Sequence, residues 1–145
     1  MRFAPHNLPP AALELLRDRH LSTLTTSRRD GTPHVAPVGF TFDPQTQLAR
    51  VICSGGSQKV RNVERTPYAA ICQTAGAQWL TLEGTAHVER DPAAVQDAVQ
   101  RYAARYREPR TNPNRVVIIV EISRIMGFLR HPTTNVELGR KPLDG

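Results

Sequence analysis

The sequence predicts a small antiparallel β-barrel, closed or half closed, flanked by two or three helices. Three observations lead there. Short runs rich in Thr, Val, Phe and Ile recur along most of the chain, with Gly, Pro and Asp clusters between them. Few segments carry helical periodicity. The chain has 145 residues, enough for one domain that buries about two thirds of the surface its unfolded form exposes. About six strands in so short a chain hide their edges best by curling round into a barrel.

The elements follow in order. Leu8, Ala12, Leu15 and Leu16 recur at helical spacing around Pro9, a residue suited to a first turn, so a helix is expected over residues 9–19. The period then changes. Residues 21–27, 33–42 and 48–53 read as an antiparallel meander, broken at Arg29-Asp30-Gly31 and at Asp43-Pro44. After the Gly55-Gly56 turn a short helix is expected over 58–65, stopped by Pro67, with strands over 68–73 and 79–89. Asp91 and Pro92 make an N-cap and first-turn pair for a helix over 93–106, with Val95, Ala98, Val99, Tyr102 and Tyr106 along one face. Residues 115–124 form the last long strand. No repeat or linker divides the chain, so residues 1–145 are read as one domain with a loosely ordered tail over 131–145.

Composition narrows the function classes. Mean hydropathy is −0.40, and no stretch approaches the roughly 20 apolar residues that span a bilayer. The N-terminal region has no apolar core with a cleavage site, so a cytoplasmic, non-membrane protein is expected. Cys53 and Cys72 fit no zinc or CxxC spacing and read as reduced core thiols, and no metal site is expected. Nineteen basic against thirteen acidic residues give a formal charge of +6. That excess is scattered, without aromatic interleaving or a helix-turn-helix, so no nucleic-acid partner is expected.

The stretch Ser54-Gly55-Gly56-Ser57-Gln58-Lys59-Val60-Arg61-Asn62 carries the most chemistry. It lies between an apolar strand and a helix start. Two glycines let backbone N–H groups approach an anion, Ser57 and Gln58 add donors, and the helix N-terminus adds partial positive charge. Lys59 and Lys141 are the chain's two lysines. The cluster reads as a phosphate cradle; on its own it is equally a strand-to-helix turn with a solvated lysine.

Several segments then follow in a recognisable order: His20-Leu21 to Thr26, Asp30-Gly31-Thr32-Pro33-His34-Val35, Pro37-Val38-Gly39-Phe40, the cradle, Trp79 to Gly84, and Arg105 to Arg110. With them the chain resembles the flavin/deazaflavin oxidoreductase superfamily, the split β-barrel group that includes the pyridoxamine phosphate oxidases and FMN-binding proteins. The segment Arg-Tyr-Arg-Glu-Pro-Arg-Thr-Asn-Pro-Asn-Arg (105–115) and Val38 to Asp43 bring it nearest to the actinobacterial F420-dependent biliverdin reductases.

The resemblance implies a homodimeric split barrel of mainly β structure, with coenzyme F420 bound at the subunit interface. By that likeness Ser57, Gln58, Lys59 and Asn62, aided by Arg61, hold the coenzyme's phosphate, and His34, Val35, Ala36, Pro37 and Val38 lie beside the deazaflavin ring. Trp79 packs on the ring or its linker. For His34 the alternative is a strand histidine satisfied by a neighbour, and for Trp79 a core aromatic. The coenzyme's anionic polyglutamate tail gives the arginine excess a partner. The implied reaction is hydride transfer to the central methine carbon of biliverdin, with Arg110 and Arg115 taking its propionates, unless they are solvated or paired with Glu108 and Asp97. No catalytic acid is assigned. An FMN-dependent oxidase of the same fold is the alternative, although FMN would call for more basic phosphate ligands than Lys59 alone, and a non-catalytic F420 binder is the other.

Overall fold

The computed structural model describes residues 1–130; the tail expected to be loosely ordered lies outside the described residues. Helix α1 (Pro10–Arg17) follows a two-residue strand β1 (Arg2–Phe3). The β2–β3 hairpin (Leu21–Ser27, Pro33–Val38) leads into β4 (Phe40–Asp43) and β5 (Leu48–Ser54). Helix α2 (Gln58–Arg65) precedes β6 (Tyr68–Ala75) and β7 (Gln78–Glu89), and helix α3 (Pro92–Arg105) precedes β8 (Arg115–Phe128). Among the described residues no helix is long and apolar enough to cross a membrane.

All strands join one antiparallel sheet in the order β3-β2-β6-β7-β8-β5-β4, with β1 added to β8 at Arg2↔Met126. The consecutive strands β3 and β4 therefore stand at opposite ends of the order, and the sheet curls round to bring them back to the link at Gly39. Residues 33–42, expected as one strand of a meander, are two strands that do not pair with each other. The cause is local. A Cβ at Gly39 would lie 2.8 Å from the Tyr102 ring and 3.2 Å from the Tyr106 ring. The aromatic face of α3 is wedged where a ladder between β3 and β4 would otherwise close the barrel.

Alternation along the strands builds the core. Leu24, Phe40, Ile71, Leu80, Leu82, Ile118 and Ile125 are fully buried, and Val60 and Val63 of α2 with Ala12 and Leu16 of α1 cover them. At Gly84 the β7–β8 register slips, and any side chain there would strike the Glu121 carbonyl. Asp91 caps α3 as its sequence predicts, its Oδ2 accepting from Ala94 N at 3.2 Å. Strand β8 runs past its expected end to Phe128, because β7 and β1 both offer it partners there. The two residues of β1 carry no periodic signal, so sequence reasoning missed them.

Both cysteines are free and only half-buried. Cys72 alternates with buried Ile71 and Gln73 and so faces outward, across from Thr23 and Thr81. The expectation of two core thiols holds for Cys53, which packs against the hydrophobic core, and is corrected for Cys72: its run buries every second residue, and Cys72 falls on the other set.

The open junction after Gly39 is stabilised from α3. Tyr106 Oη donates to Phe40 O at 2.7 Å and accepts from Phe40 N at 3.1 Å. Arg105 Nη1 also reaches Phe40 O (2.7 Å), its Nη2 reaches Gln73 Oε1 (2.6 Å) and Leu15 O (3.3 Å), and its Nε reaches Asp18 O (2.9 Å). The guanidinium also stands 4.8 Å from the Phe40 ring centroid. One side chain thus joins α1, β4, β6 and α3. Arg105→Ala takes the guanidinium donors from Gln73 Oε1 and Asp18 O, leaves Phe40 O to Tyr106 and Leu15 O to Gln73 Nε2, removes the contact with the Phe40 ring, and should cost roughly 2–4 kcal/mol in chemical denaturation. Arg105→Lys should recover only part of that, because an ammonium cannot reproduce the planar fork; full recovery by lysine would reduce Arg105 to a point charge.

Candidate functional site

The ends of β3 and β5, the start of α2 and the loop before β8 surround a cavity of about 390 Å3. Pro37, Val38 and Gly39 form one wall and Ile52, Cys53 and Ser54 another. Ser57 and Lys59 enter from α2, and Tyr102, Pro109, Asn112 and Arg115 complete the rim. Backbone geometry fixes this meeting. Gly55 N donates to Asn114 O at 2.8 Å, and Asn112 Nδ2 donates to Ser54 Oγ at 2.9 Å, which sews the loop before β8 onto the Gly55-Gly56 turn.

Ser57 is the N-cap of α2, yet its side chain caps nothing. Its Oγ is buried without a hydrogen-bond partner. The first intrahelical bond is Arg61 N to Ser57 O at 3.3 Å, so the N–H groups of Gln58, Lys59 and Val60 have no intrahelical acceptor. The first turn holds no acidic residue. A free hydroxyl, open backbone donors, the positive end of the helix dipole and the Lys59 ammonium therefore converge, and among the described residues no protein anion satisfies them. That donor set fits a phosphate.

Cys53 shares the cavity. Burial pushes its thiol above the ordinary cysteine value, while the Lys59 charge acts in the opposite direction without overcoming it. Tyr102 lines the same space and its ring packs against Tyr106 at 4.8 Å between centroids. Sequence reasoning assigned Cys53 to the core and Tyr102 only to a helix face. The signal that would have found both is their register, opposite Val116 for Cys53 and one turn before Tyr106 for Tyr102.

The structure separates the other residues implied by resemblance. Pro37, Val38, Ser57 and Lys59 meet in the cavity, and Arg115 joins them. Gln58 and Arg61 lie on another side of α2, lining a hollow with Arg29, Glu64 and Arg65. Arg61 there donates to Gly56 O at 2.6 Å and to Gln58 Oε1 at 2.8 Å, bracing the glycine turn. Asn62 is corrected from a phosphate ligand to a core hub. It is fully buried, its Nδ2 donates to Thr26 Oγ1 at 3.0 Å, and its Oδ1 accepts from Gln58 and Arg65, so the side chain is held inside the protein, out of reach of an anion in the cavity. His34 and Ala36 occupy the half-buried face of β3 outside the cavity lining, with His34 Nδ1 unpartnered, and Val35 projects from the opposite, exposed face. Trp79 pairs with Phe128 at the far end of β8 from Arg115 and is not among the residues lining the Lys59 cavity.

Arg115 stands between this cavity and a neighbouring one of about 430 Å3 that runs under α3 towards Arg90. Its guanidinium donates to the Arg110 carbonyl, while the Arg110 side chain is exposed and lines neither space. Asp97, considered above as a partner for these arginines, instead pairs with Arg101 at 2.9 Å and Arg50 at 3.6 Å.

A curled antiparallel sheet left open at one junction, with an anion cradle at the start of a short helix beside it, defines a split-barrel cofactor protein. The chain belongs to the pyridoxamine 5'-phosphate oxidase family, whose model matches residues 8–127. It is 58% identical over 116 residues, 80% of this chain and 85% of the other, to the F420H(2)-dependent biliverdin reductase of Mycobacterium tuberculosis. A solved structure described as an F420 reductase matches with TM-score 0.66 at 26% identity, covering 82% of this chain and 98% of that one. A conserved hypothetical protein of Mycobacterium tuberculosis matches with TM-score 0.72 at 20% identity, covering 90% and 94%, which speaks to the fold alone.

The raised Cys53 pKa gives a direct test of the cavity. Less thiolate is present at pH 7.5 than for a free thiol, so iodoacetamide should label Cys53 more slowly than glutathione, with the rate still rising at pH values where glutathione has levelled off. Peptide mapping separates Cys53 from Cys72. Labelling of Cys53 at the glutathione rate would mean that the thiol is neither buried nor perturbed.

Proposed function

We propose that this chain is an F420H2-dependent oxidoreductase that reduces biliverdin to bilirubin. The observation that carries the reading is the Ser57–Lys59 cradle, a set of unsatisfied anion donors opening onto the apolar end of β3, in a chain so similar to a biliverdin reductase. Lys59, Ser57 and the first amides of α2 hold the phosphate of the coenzyme's side chain. Pro37, Val38 and Gly39 form the surface beside which the deazaflavin ring lies, and Ile52 and Tyr102 keep water from it. When bound, the reduced coenzyme supplies the hydride. Arg115, assisted by Arg110 at the rim, takes the propionates of biliverdin, and a water held by Arg115 brings the proton to the pyrrole nitrogen.

The reading includes a homodimer. Along the outward face of the sheet Pro37, Thr23, Cys72, Thr81 and Met126 stand in one cross-strand row, and Leu21, Thr74, Trp79 and Phe128 in the next. Leu21 is 85% exposed and Phe128 45%. The stretch of uncharged side chains between Arg2, which pairs with Met126 at the end of the first row, and the Glu83–Arg124 pair of the row beyond suits a second copy. That assembly would bring Trp79 and Val35, neither of which lines the Lys59 cavity of its own chain, to a site formed between subunits. Met126→Lys should then convert a dimer to a monomer in sedimentation while leaving the monomer folded; an unchanged sedimentation coefficient would remove this face from the interface.

The decisive experiment follows the visible band of the coenzyme on mixing reduced F420 with the purified protein, with and without biliverdin. Biliverdin-dependent oxidation with bilirubin formation is expected. Yellow protein carrying FMN, or no oxidation with biliverdin present, would overturn the reading. Lys59→Ala should weaken coenzyme binding about 5–150-fold, as loss of one charge-assisted contact of roughly 1–3 kcal/mol implies. Arg110→Ala should raise the biliverdin KM with coenzyme affinity nearly unchanged, and equal effects on both would remove Arg110 from the substrate side.

A further inference from the structure

A separate hollow of about 390 Å3 opens between α1, β4 and α3. Arg101, Ala104 and Arg105 of α3 face it, whereas Tyr102 of the same helix faces the Lys59 cavity. The two spaces therefore lie on different faces of α3. Leu13 and Leu16 from α1 with Phe42 and Pro44 from the end of β4 give the hollow an apolar floor, and its size falls within the roughly 300–1,000 Å3 of small-molecule sites.

Its charge is unbalanced. Arg101 is matched by Asp97 at 2.9 Å and Asp43 at 3.6 Å, and Asp97 already serves Arg50. Arg105 spends its donors on three carbonyls and the Gln73 amide oxygen, with no carboxylate in ion-pair range, although Asp18 favours its charge from further away. Arg17 on the rim forms no ion pair among the described residues. Two guanidinium charges thus border an apolar hollow without a counter-ion of their own. The half-buried Arg105 charge at the hollow is stabilised when an anion is brought near it, and the exposed Arg17 at the mouth offers a planar fork that matches the two oxygens of a carboxylate.

We propose that this hollow binds an apolar carboxylate, with the hydrocarbon against Leu13, Leu16, Phe42 and Pro44 and the carboxylate at Arg17. The site is independent of the coenzyme and of the reaction assigned above. Octanoate is the probe, with octanol and acetate as controls, each titrated below self-association while backbone amide spectra are recorded. Octanoate should shift the amides of Leu13, Leu16, Phe42 and Ala104 saturably, with octanol about tenfold weaker, the value of one charged contact, and acetate without effect. Arg17→Gln should bring octanoate down to the octanol affinity. Ala104→Trp, a change at an exposed helix position, should fill the hollow and abolish binding while coenzyme affinity is kept. Equal affinities for octanoate and octanol would overturn the proposal, as would full binding by Ala104→Trp or shifts spread over the whole sheet. Loss of self-association in Ala104→Trp with no octanoate response in the parent would assign the hollow to a second copy of the chain, and would overturn it as well.

Discussion

The backbone of Phe40 is the point on which the architecture turns. Where β3 leaves the sheet and β4 re-enters it at the other end, an N–H and a carbonyl that a closed barrel would pair between strands are left inside the protein. Unpaired, they would cost a few kcal/mol together. Tyr106 Oη serves both groups, and Arg105 adds a second bond to the carbonyl. The barrel is therefore closed by two side chains of a helix instead of by a strand ladder. Arg105 is held in turn by acceptors from α1 and β6, which is how a single residue late in the chain orders elements from its beginning.

That substitution of helix for strand creates room for chemistry. A ladder between β3 and β4 would close the gap between the end of β3 and the neighbouring end of β5. Left apart, these ends form the walls of the Lys59 cavity, and α3 supplies Tyr102 to it through the same residues that prevent closure. The small side chain at Gly39 is required because the Tyr102 and Tyr106 rings occupy the space any larger residue would take. Strand pairing, helix packing and cavity shape are thus one constraint seen from three sides.

The anion donors follow from helix termination. An N-cap serine ordinarily turns its hydroxyl onto the helix it begins; Ser57 does not, and its buried oxygen and the first amides of α2 remain open beside Lys59. Leaving such groups unsatisfied is unfavourable unless something else binds them. The fold itself hosts several cofactors, so the choice of ligand rests on this local donor set and on sequence similarity, and the sheet topology cannot make it.

Local rules made much of the protein legible in its sequence. Pro9, Asp91 and Pro92 announce the helix starts, Pro67 the end of α2, and residue type with period two most of the strands, because these depend on φ/ψ preferences and capping within a few residues. The strand, glycine turn and helix start over Ser54 to Asn62 were legible for the same reason, being a continuous stretch, whereas the turning of Gln58, Arg61 and Asn62 away from Lys59 was not. Only the tertiary structure decided that residues 33–42 split at Gly39, that Asn62 is a core hub, that Cys53 looks into a cavity and Cys72 outward, and that Trp79 lies at the far end of β8. Each of these depends on which distant strand or helix arrives alongside. Sequence pattern sets which residues share a face; which face meets an α3 tyrosine, a cavity or solvent is fixed by long-range packing that no local periodicity records.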